Sequence, residues 1–490
     1  MLKPIRKGLP ADEDEGGEVE KLIKTAGHQP SSKAEEAHAV DHKTVLAKLN
    51  SHLLWKFFAL TVLCYIDRTN LAFAAIQLNK NLGFTEHIYG VGASIFFVGY
   101  SICQIPSNLI LVSVGAPLWL SVLIVSWGIV ATAFAAINGK WMFYILRLLL
   151  GATESGTFPG MWYHLSTFYT DKEIGVAYSY VSAGTALSQV IGAPLAAGLL
   201  ALDGWLGLAG WQWLFIVEGI PTVLMGLYTK VSLAESPAKA SFLTPAEKAW
   251  LQQRHAESKA AKTMAGVEVS AWGAVQNWRT WYLAVINLCD STVKYAIIYW
   301  CPLIIYHMVG ENMPHTAGEA VVPHDALVAL LTALPFGFAA VFMLVNARHS
   351  AATGERRWHV TIPLAISSLA LACMAHTMEH SPSLAFLSLL VATLAWAPNG
   401  IMYSYPATFL QGAAAATGVA LINSIANVGG MIGPYLIGTF KQSKGDYSTA
   451  IMVLSWLSVF TCILTANFSE PSELKMEKNV SNRKSHDLAV

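Results

Sequence analysis

Arg147-Leu148-Leu149-Leu150-Gly151-Ala152-Thr153-Glu154-Ser155-Gly156-Thr157-Phe158-Pro159-Gly160 sets an arginine and a glutamate inside an otherwise apolar run. On an α-helix seven residues advance about 700° and rise about 10 Å, so Arg147 and Glu154 share one face, two turns apart, with Gly151 between them. That narrow polar face needs a reason. If the run spans a membrane, each charge at mid-depth costs roughly 2.5 to 3.5 kcal/mol on insertion scales, and residues of this kind mark transport pathways or coupling groups.

The rest of the chain supports the membrane premise. Of 490 residues 54% are hydrophobic and 13% are charged, whereas soluble domains carry about 25% charged residues. Twelve apolar runs follow one another, each near the roughly 20 residues that a bilayer requires. They cover 54–78, 89–112, 118–137, 141–163, 176–202 and 211–231, then 281–308, 326–345, 360–376, 382–405, 418–440 and 450–468. The pattern predicts an all-α membrane protein of twelve transmembrane helices in two six-helix halves, 55–233 and 278–468. Residues 1–54, polar and without an apolar h-region, read as a disordered tail; 234–277 reads as a central loop and 469–490 as a C-terminal tail.

Lysine and arginine placement orients the spans, because cytoplasmic joints keep these residues. With the N-terminus inside, only Lys80, Lys140, Lys441 and Lys444 fall on outer joints, so both termini and the central loop are expected in the cytoplasm. The expected setting is a monomer in the plasma membrane, with the lipid bilayer as its surroundings. A formal net charge of zero argues against a nucleic-acid partner. The six cysteines lie in apolar runs without metal-ligand spacing, and no nucleotide loop or nucleophile motif suggests an enzyme or a cofactor.

The halves echo each other. Span five carries Gly184, Gln189 and Gly192-Ala193-Pro194, and span eleven carries Asn423, Asn427, Gly429-Gly430 and Gly433-Pro434. Small residues permit close helix approach, and their recurrence six spans later favours an internal duplication.

With these features assembled, the chain resembles the major facilitator superfamily and, within it, the anion:cation symporter family of organic-anion permeases. The resemblance rests on Tyr65-Ile66-Asp67-Arg68-Thr69-Asn70-Leu71, Phe96-Phe97-Val98-Gly99-Tyr100, Pro106-Ser107-Asn108 and the opening stretch. It rests also on Trp211-Gln212-Trp213-Leu214-Phe215 with Glu218-Gly219, on Gly354-Glu355-Arg356-Arg357-Trp358-His359 and on Ala420-Leu421-Ile422-Asn423-Ser424. One joint departs from the pattern: Gly115-Ala116-Pro117-Leu118-Trp119 lacks the basic residues that the family carries between spans two and three.

Adjacent residues on a helix diverge by about 100°, so Asp67 and Arg68 need different partners. Cross-pairing of Asp67 with Arg147 and of Arg68 with Glu154 is the arrangement their mid-span positions suggest. Proton binding to a buried carboxylate and release of its arginine are linked, and a freed guanidinium can take a substrate carboxylate. The resemblance implies the same roles: Asp67 and Glu154 bind protons, while Arg68 and Arg147 hold substrate or organise those carboxylates. A static ion-pair network uses the same residues. By resemblance Tyr65 and Tyr100 line the cavity, although each also suits ordinary packing. Asn423 and Asn427 suit either substrate contact or interhelical hydrogen bonding, and Trp396, just before Pro398, suits either stacking on substrate or packing. Asp290 and Lys294, four apart on one helix, read as a local ion pair, and Glu218 has no partner that spacing reveals.

The function these residues suggest is secondary active transport of a small organic anion with protons, by alternating access. A non-transporting sensor on the same scaffold and a carrier of neutral solutes are the alternatives. Two mid-membrane arginines favour an anion over a neutral solute.

Overall fold

The structure, a computed structural model, describes residues 40–169, 173–264, 271–310, 324–406, 409–410 and 412–468. The described residues are helical and contain no strand. The first half comprises span one (Trp55–Leu82), span two (Glu86–Val114), span three (Ala116–Ala133), span four (Lys140–Glu154 and Thr157–Phe168), span five (Ile174–Leu200) and span six (Gly210–Ser232). The second comprises span seven (Trp278–Gly310), span eight (His324–Thr353), span nine (Arg357–Thr377), span ten (Pro382–Ala392 and Asn399–Met402), span eleven (Gly412–Lys444) and span twelve (Ser448–Asn467). Eleven stretches among the described residues are each long and apolar enough to cross a membrane.

Span four is the exception, and the reason lies in the opening stretch. Expected as one helix over 141–163, it is interrupted at Ser155-Gly156, directly after Glu154. Span ten is interrupted as well: a 3₁₀ turn, Thr393–Trp396, and Pro398 separate its two helical pieces. A proline cannot donate to the helical ladder, which accounts for the second break.

The two halves repeat one packing scheme. Span one packs on span five and span three on span six; span seven packs on span eleven and span nine on span twelve. Between the halves, two packs on eleven and eight on five, pairs that exchange under the same shift of six. This relation is the duplication expected from spans five and eleven.

Lipid tails are as apolar as leucine, so helix association in a bilayer depends on close packing. Spans two and four show how it is reached: a Cβ on Gly151 would run into the Phe96 carbonyl oxygen, and one on Gly99 into the Leu148 carbonyl oxygen. The two backbones therefore touch, which brings Phe96 and Tyr100 beside the polar face of span four. Outward-facing Ile105, Leu369 and Val231 are exposed, as lipid-facing side chains are.

Among the described residues, helix precedes the expected boundary at 54. His42–Leu49 is an α-helix that continues through a π-helical turn, Asn50–Leu54, into span one. Asp41 caps it by accepting hydrogen bonds from the Lys43 and Thr44 amides at 3.2 Å each. Val45, Leu49 and Leu53 are buried, and Lys48 pairs with Glu247 at 2.7 Å. Glu247 belongs to a helix, Pro245–Met264, in the central interval. Residues 1–39 and the C-terminal tail 469–490 lie outside the described residues.

Candidate substrate and coupling site

Arg68 and Glu154 meet as the sequence suggests. Arg68 Nη2 donates to Glu154 Oε2 at 2.8 Å and Nε to the same oxygen at 3.3 Å. Glu154 is completely buried, and its Oε1 has no hydrogen-bond partner. Cys64 Sγ, one turn before Arg68, lies 3.5 Å from Oε2. The guanidinium sits over three aromatic faces, Tyr65 at 5.2 Å, Phe96 at 5.3 Å and Tyr100 at 5.4 Å. Rings of this kind stabilise a cation while leaving its N–H edges available to a planar acceptor.

The other expected pair is absent: Asp67 does not meet Arg147. Asp67 Oδ2 instead accepts from Trp127 Nε1 at 2.5 Å and from Thr222 Oγ1 at 3.5 Å. Arg147 turns toward span two, donating from Nε to Gly92 O at 3.0 Å and from Nη2 to Ala93 O at 3.2 Å. Its Nη2 also reaches Tyr299 Oη of the second half at 3.2 Å. The physical reason is the contact of spans two and four, which sets the carbonyl oxygens of Gly92 and Ala93 against the arginine. Both guanidinium groups lie over the Phe96 ring, that of Arg147 at 4.8 Å.

Glu218 is buried, and neither of its carboxyl oxygens has a hydrogen-bond partner. Thr222 Oγ1 lies 3.0 Å from the Glu218 carbonyl oxygen and within reach of Asp67. Asp67, Trp127, Thr222 and Glu218 thus form a second polar cluster, where spans one, three and six meet.

A cavity of about 150 Å³ lies between the halves. Tyr65 and Thr185 line it from the first half; Asp290, Lys294, Tyr295, Trp396, Asn399 and Tyr403 are among its residues from the second. Tyr65 connects the two regions, one face under Arg68 and the side chain in the cavity wall. Trp396 also lines it, whereas Arg68, Arg147, Asp67, Glu154 and Tyr100 are not among its lining residues. Asn423 and Asn427 are half-buried on span eleven and are not among the lining residues.

Asp290 and Lys294 form the local pair expected from their spacing, and Lys294 also donates to Asn399 Oδ1. Asn399 was not foreseen, nor were Trp127, Thr222, Phe96 and Tyr299. A signal existed for two of them: Asn399 directly follows Pro398 at the break, and Phe96 precedes Tyr100 by one helical turn. Trp127, Thr222 and Tyr299 are neutral residues inside apolar runs, and only the packing reveals them.

Two duplicated bundles enclosing a polar cavity, with paired charges buried at mid-span, define a membrane transporter rather than an enzyme. The chain belongs to the Major Facilitator Superfamily, whose sequence profile matches residues 57–475. A putative tartrate transporter of Agrobacterium vitis is 34% identical over 439 residues, 90% of this chain and 94% of that protein. The putative metabolite transport protein NicT of Pseudomonas putida is 35% identical over 446 residues, 89% of this chain and 97% of that one. Among solved structures, the inward-open xylose transporter XylE from E. coli superposes with a TM-score of 0.66 at 13% identity, covering 86% of this chain and 96% of the other.

Proposed function

We propose that this protein carries a small organic carboxylate together with protons, by alternating access of its two halves to the cavity between them. The observation that carries the reading is the buried Arg68–Glu154 pair, whose second carboxylate oxygen has no partner. A proton arriving at Glu154 neutralises the carboxylate and removes the charge that holds Arg68. The guanidinium then has free N–H groups for a substrate carboxylate, with Tyr65 and Tyr100 fixing its plane. When the substrate leaves, the exposed charge of Arg68 favours loss of the proton and re-formation of the pair.

Asp67 is the second proton-binding candidate, held apart from the cavity by Trp127 and Thr222. Arg147 is engaged by two backbone carbonyls and Tyr299, which suits a tie between the halves in this conformation. Trp396 supplies a stacking face in the cavity, and Asn423 and Asn427 become contacts if span eleven turns toward the cavity during the cycle. A plasma-membrane monomer with both termini cytoplasmic remains the expected setting. The names of the two relatives, a putative tartrate transporter and a putative metabolite transport protein, support an organic-acid cargo.

The test is uptake of a carboxylate panel into proteoliposomes with and without an inward proton gradient, with the Glu154→Gln variant alongside. Gradient-driven accumulation by the native protein, lost in the variant, is the expected result. Uptake that ignores the gradient in both would overturn the coupling.

A further inference from the structure

We propose that Lys294, with Asp290 and Asn399, forms a second anion contact on the wall opposite Arg68, so that the cavity selects organic acids carrying two negative groups. The inference rests on the organic-anion reading above. Its starting point is that Lys294 and Asp290, both buried, are themselves cavity-lining residues, whereas the Arg68–Glu154 pair lies behind Tyr65.

A helix-stabilising role does not account for the pair. A Glu/Asp–Lys contact at i,i+4 contributes about 0.2–0.5 kcal/mol to a helix, while burying two charges costs several kcal/mol per ion before their attraction is counted. The pair also makes an interhelical contact: Asn399, at the interruption of span ten, accepts a second N–H from the ammonium. An ammonium has three donors. Asp290 and Asn399 take two of them, and the third is available to a ligand.

The ammonium is surrounded by neutral polar groups. Asn287, Ser291, Tyr295 and Tyr403 bring hydroxyl and amide groups to the same wall. From the facing wall Tyr65 presents its ring, with the Arg68 guanidinium 5.2 Å beyond it. A cation from the second half, Lys294, therefore lines the cavity, and one from the first half, Arg68, lies behind Tyr65. Arginine offers a planar fork to one carboxylate, and lysine offers a compact point charge to a second anionic group. A monoacid satisfies one of these and leaves the other in its internal pair; a diacid engages both and draws the halves together.

Binding of matched acids to the purified full-length protein tests this, read by quenching of tryptophan fluorescence, since Trp396 lines the cavity. The pairs are tartrate against threonate and phthalate against 2-(hydroxymethyl)benzoate, each differing by one carboxylate exchanged for a hydroxymethyl group. We expect at least one diacid to bind tenfold or more tightly than its monoacid. The charge-balanced double variant Asp290→Asn, Lys294→Gln is expected to bring that ratio within twofold, and Lys294→Arg to retain it. Equal binding of diacid and monoacid by the native protein would overturn the proposal even if the variants fail to fold, as would a preference that survives in the double variant. Monoacid binding without diacid preference removes only the role of Lys294. Absence of binding by every acid removes the organic-anion reading and this proposal with it.

Discussion

Glu154 gives one carboxylate oxygen to Arg68 and leaves the other unpartnered in a fully buried position, which makes it the most consequential single side chain in the first half. Replacing it by glutamine leaves Arg68 buried without a counter-charge. Breaking a buried pair in this way costs about 3–5 kcal/mol, so Glu154→Gln is expected to unfold at clearly lower temperature as well as to lose gradient-driven uptake. Unchanged thermal stability would show that the pair does not bear on the folded state. Asp67 makes a contrasting case, because its partners are neutral donors. Trp127→Phe removes one of them at a cost of about 1–3 kcal/mol, measurable in the same unfolding experiment. The exchange Asp67→Arg with Arg147→Asp is expected to restore nothing that the single variants lose, since the two residues have separate partners. Adjacency of Asp67 and Arg68 was enough to read that they diverge, and the Arg68–Glu154 pair followed. The partners of Asp67 and Arg147 were not legible, because an indole and two backbone carbonyls leave no charge pattern in the sequence.

At the scale of helices, the contact of spans two and four decides where the charges point. Gly151→Ala drives a methyl group into the Phe96 carbonyl, and overpacking of this kind costs about 1–3 kcal/mol or more. At Gly192 an added Cβ would lie 3.8 Å from Ile66, an ordinary contact, so Gly192→Ala is the matched control. The expected outcome is a large fall in melting temperature for the first substitution and almost none for the second. Between spans eight and nine, Glu355 offers a pH test outside the membrane. Partial burial raises its carboxyl, but hydrogen bonds from the Trp358 amide and the His359 ring outweigh this and hold it below its ordinary value. A carboxyl lowered in the folded state stabilises the joint above its unfolded value of about 4.3 and ceases to do so as pH falls through the lower folded value. Hydrogen-exchange protection at 354–359, taken relative to the intrinsic rate at each pH, should therefore hold at neutral pH and fall only below about pH 4; constant protection down to pH 3 would contradict the assignment. The spans themselves were legible from apolar run length. Both interruptions were signalled by a proline, Pro159 four residues after Ser155 and Pro398 in span ten. The joint after span two lacks the expected basic residues, and there Glu235 lies against Gly115 with its charge met by Lys239 at 2.7 Å.

For the molecule as a whole, duplication makes the halves alike, and the cavity lies where they meet. Both halves could be read from the chain; the contacts between them could not, because neutral tyrosines and backbone carbonyls leave no charge pattern in the sequence. Two hydrogen bonds between the halves converge on Tyr299: its carbonyl accepts from Tyr89 Oη at 2.5 Å and its hydroxyl from Arg147. They lie toward the end where span two begins, and His87 meets Tyr435 nearby with ring centroids 5.9 Å apart. The cavity-lining residues of span seven, from Asn287 to Ile298, precede Tyr299 in the chain, so this tie lies beyond them along the span. Tyr299→Phe keeps the backbone bond and the ring but removes the acceptor for Arg147. A hydrogen bond to a charged group contributes about 1.5–3 kcal/mol, and each 1.4 kcal/mol is about a factor of ten in population. If the halves alternate as proposed, the substitution shifts the equilibrium at least tenfold toward a state open at this end. Spin labels placed at positions 87 and 435 should then show a longer-distance population in Tyr299→Phe that is minor in the parent protein. An unchanged distance distribution would mean that Arg147 braces span two alone and takes no part in holding the halves together.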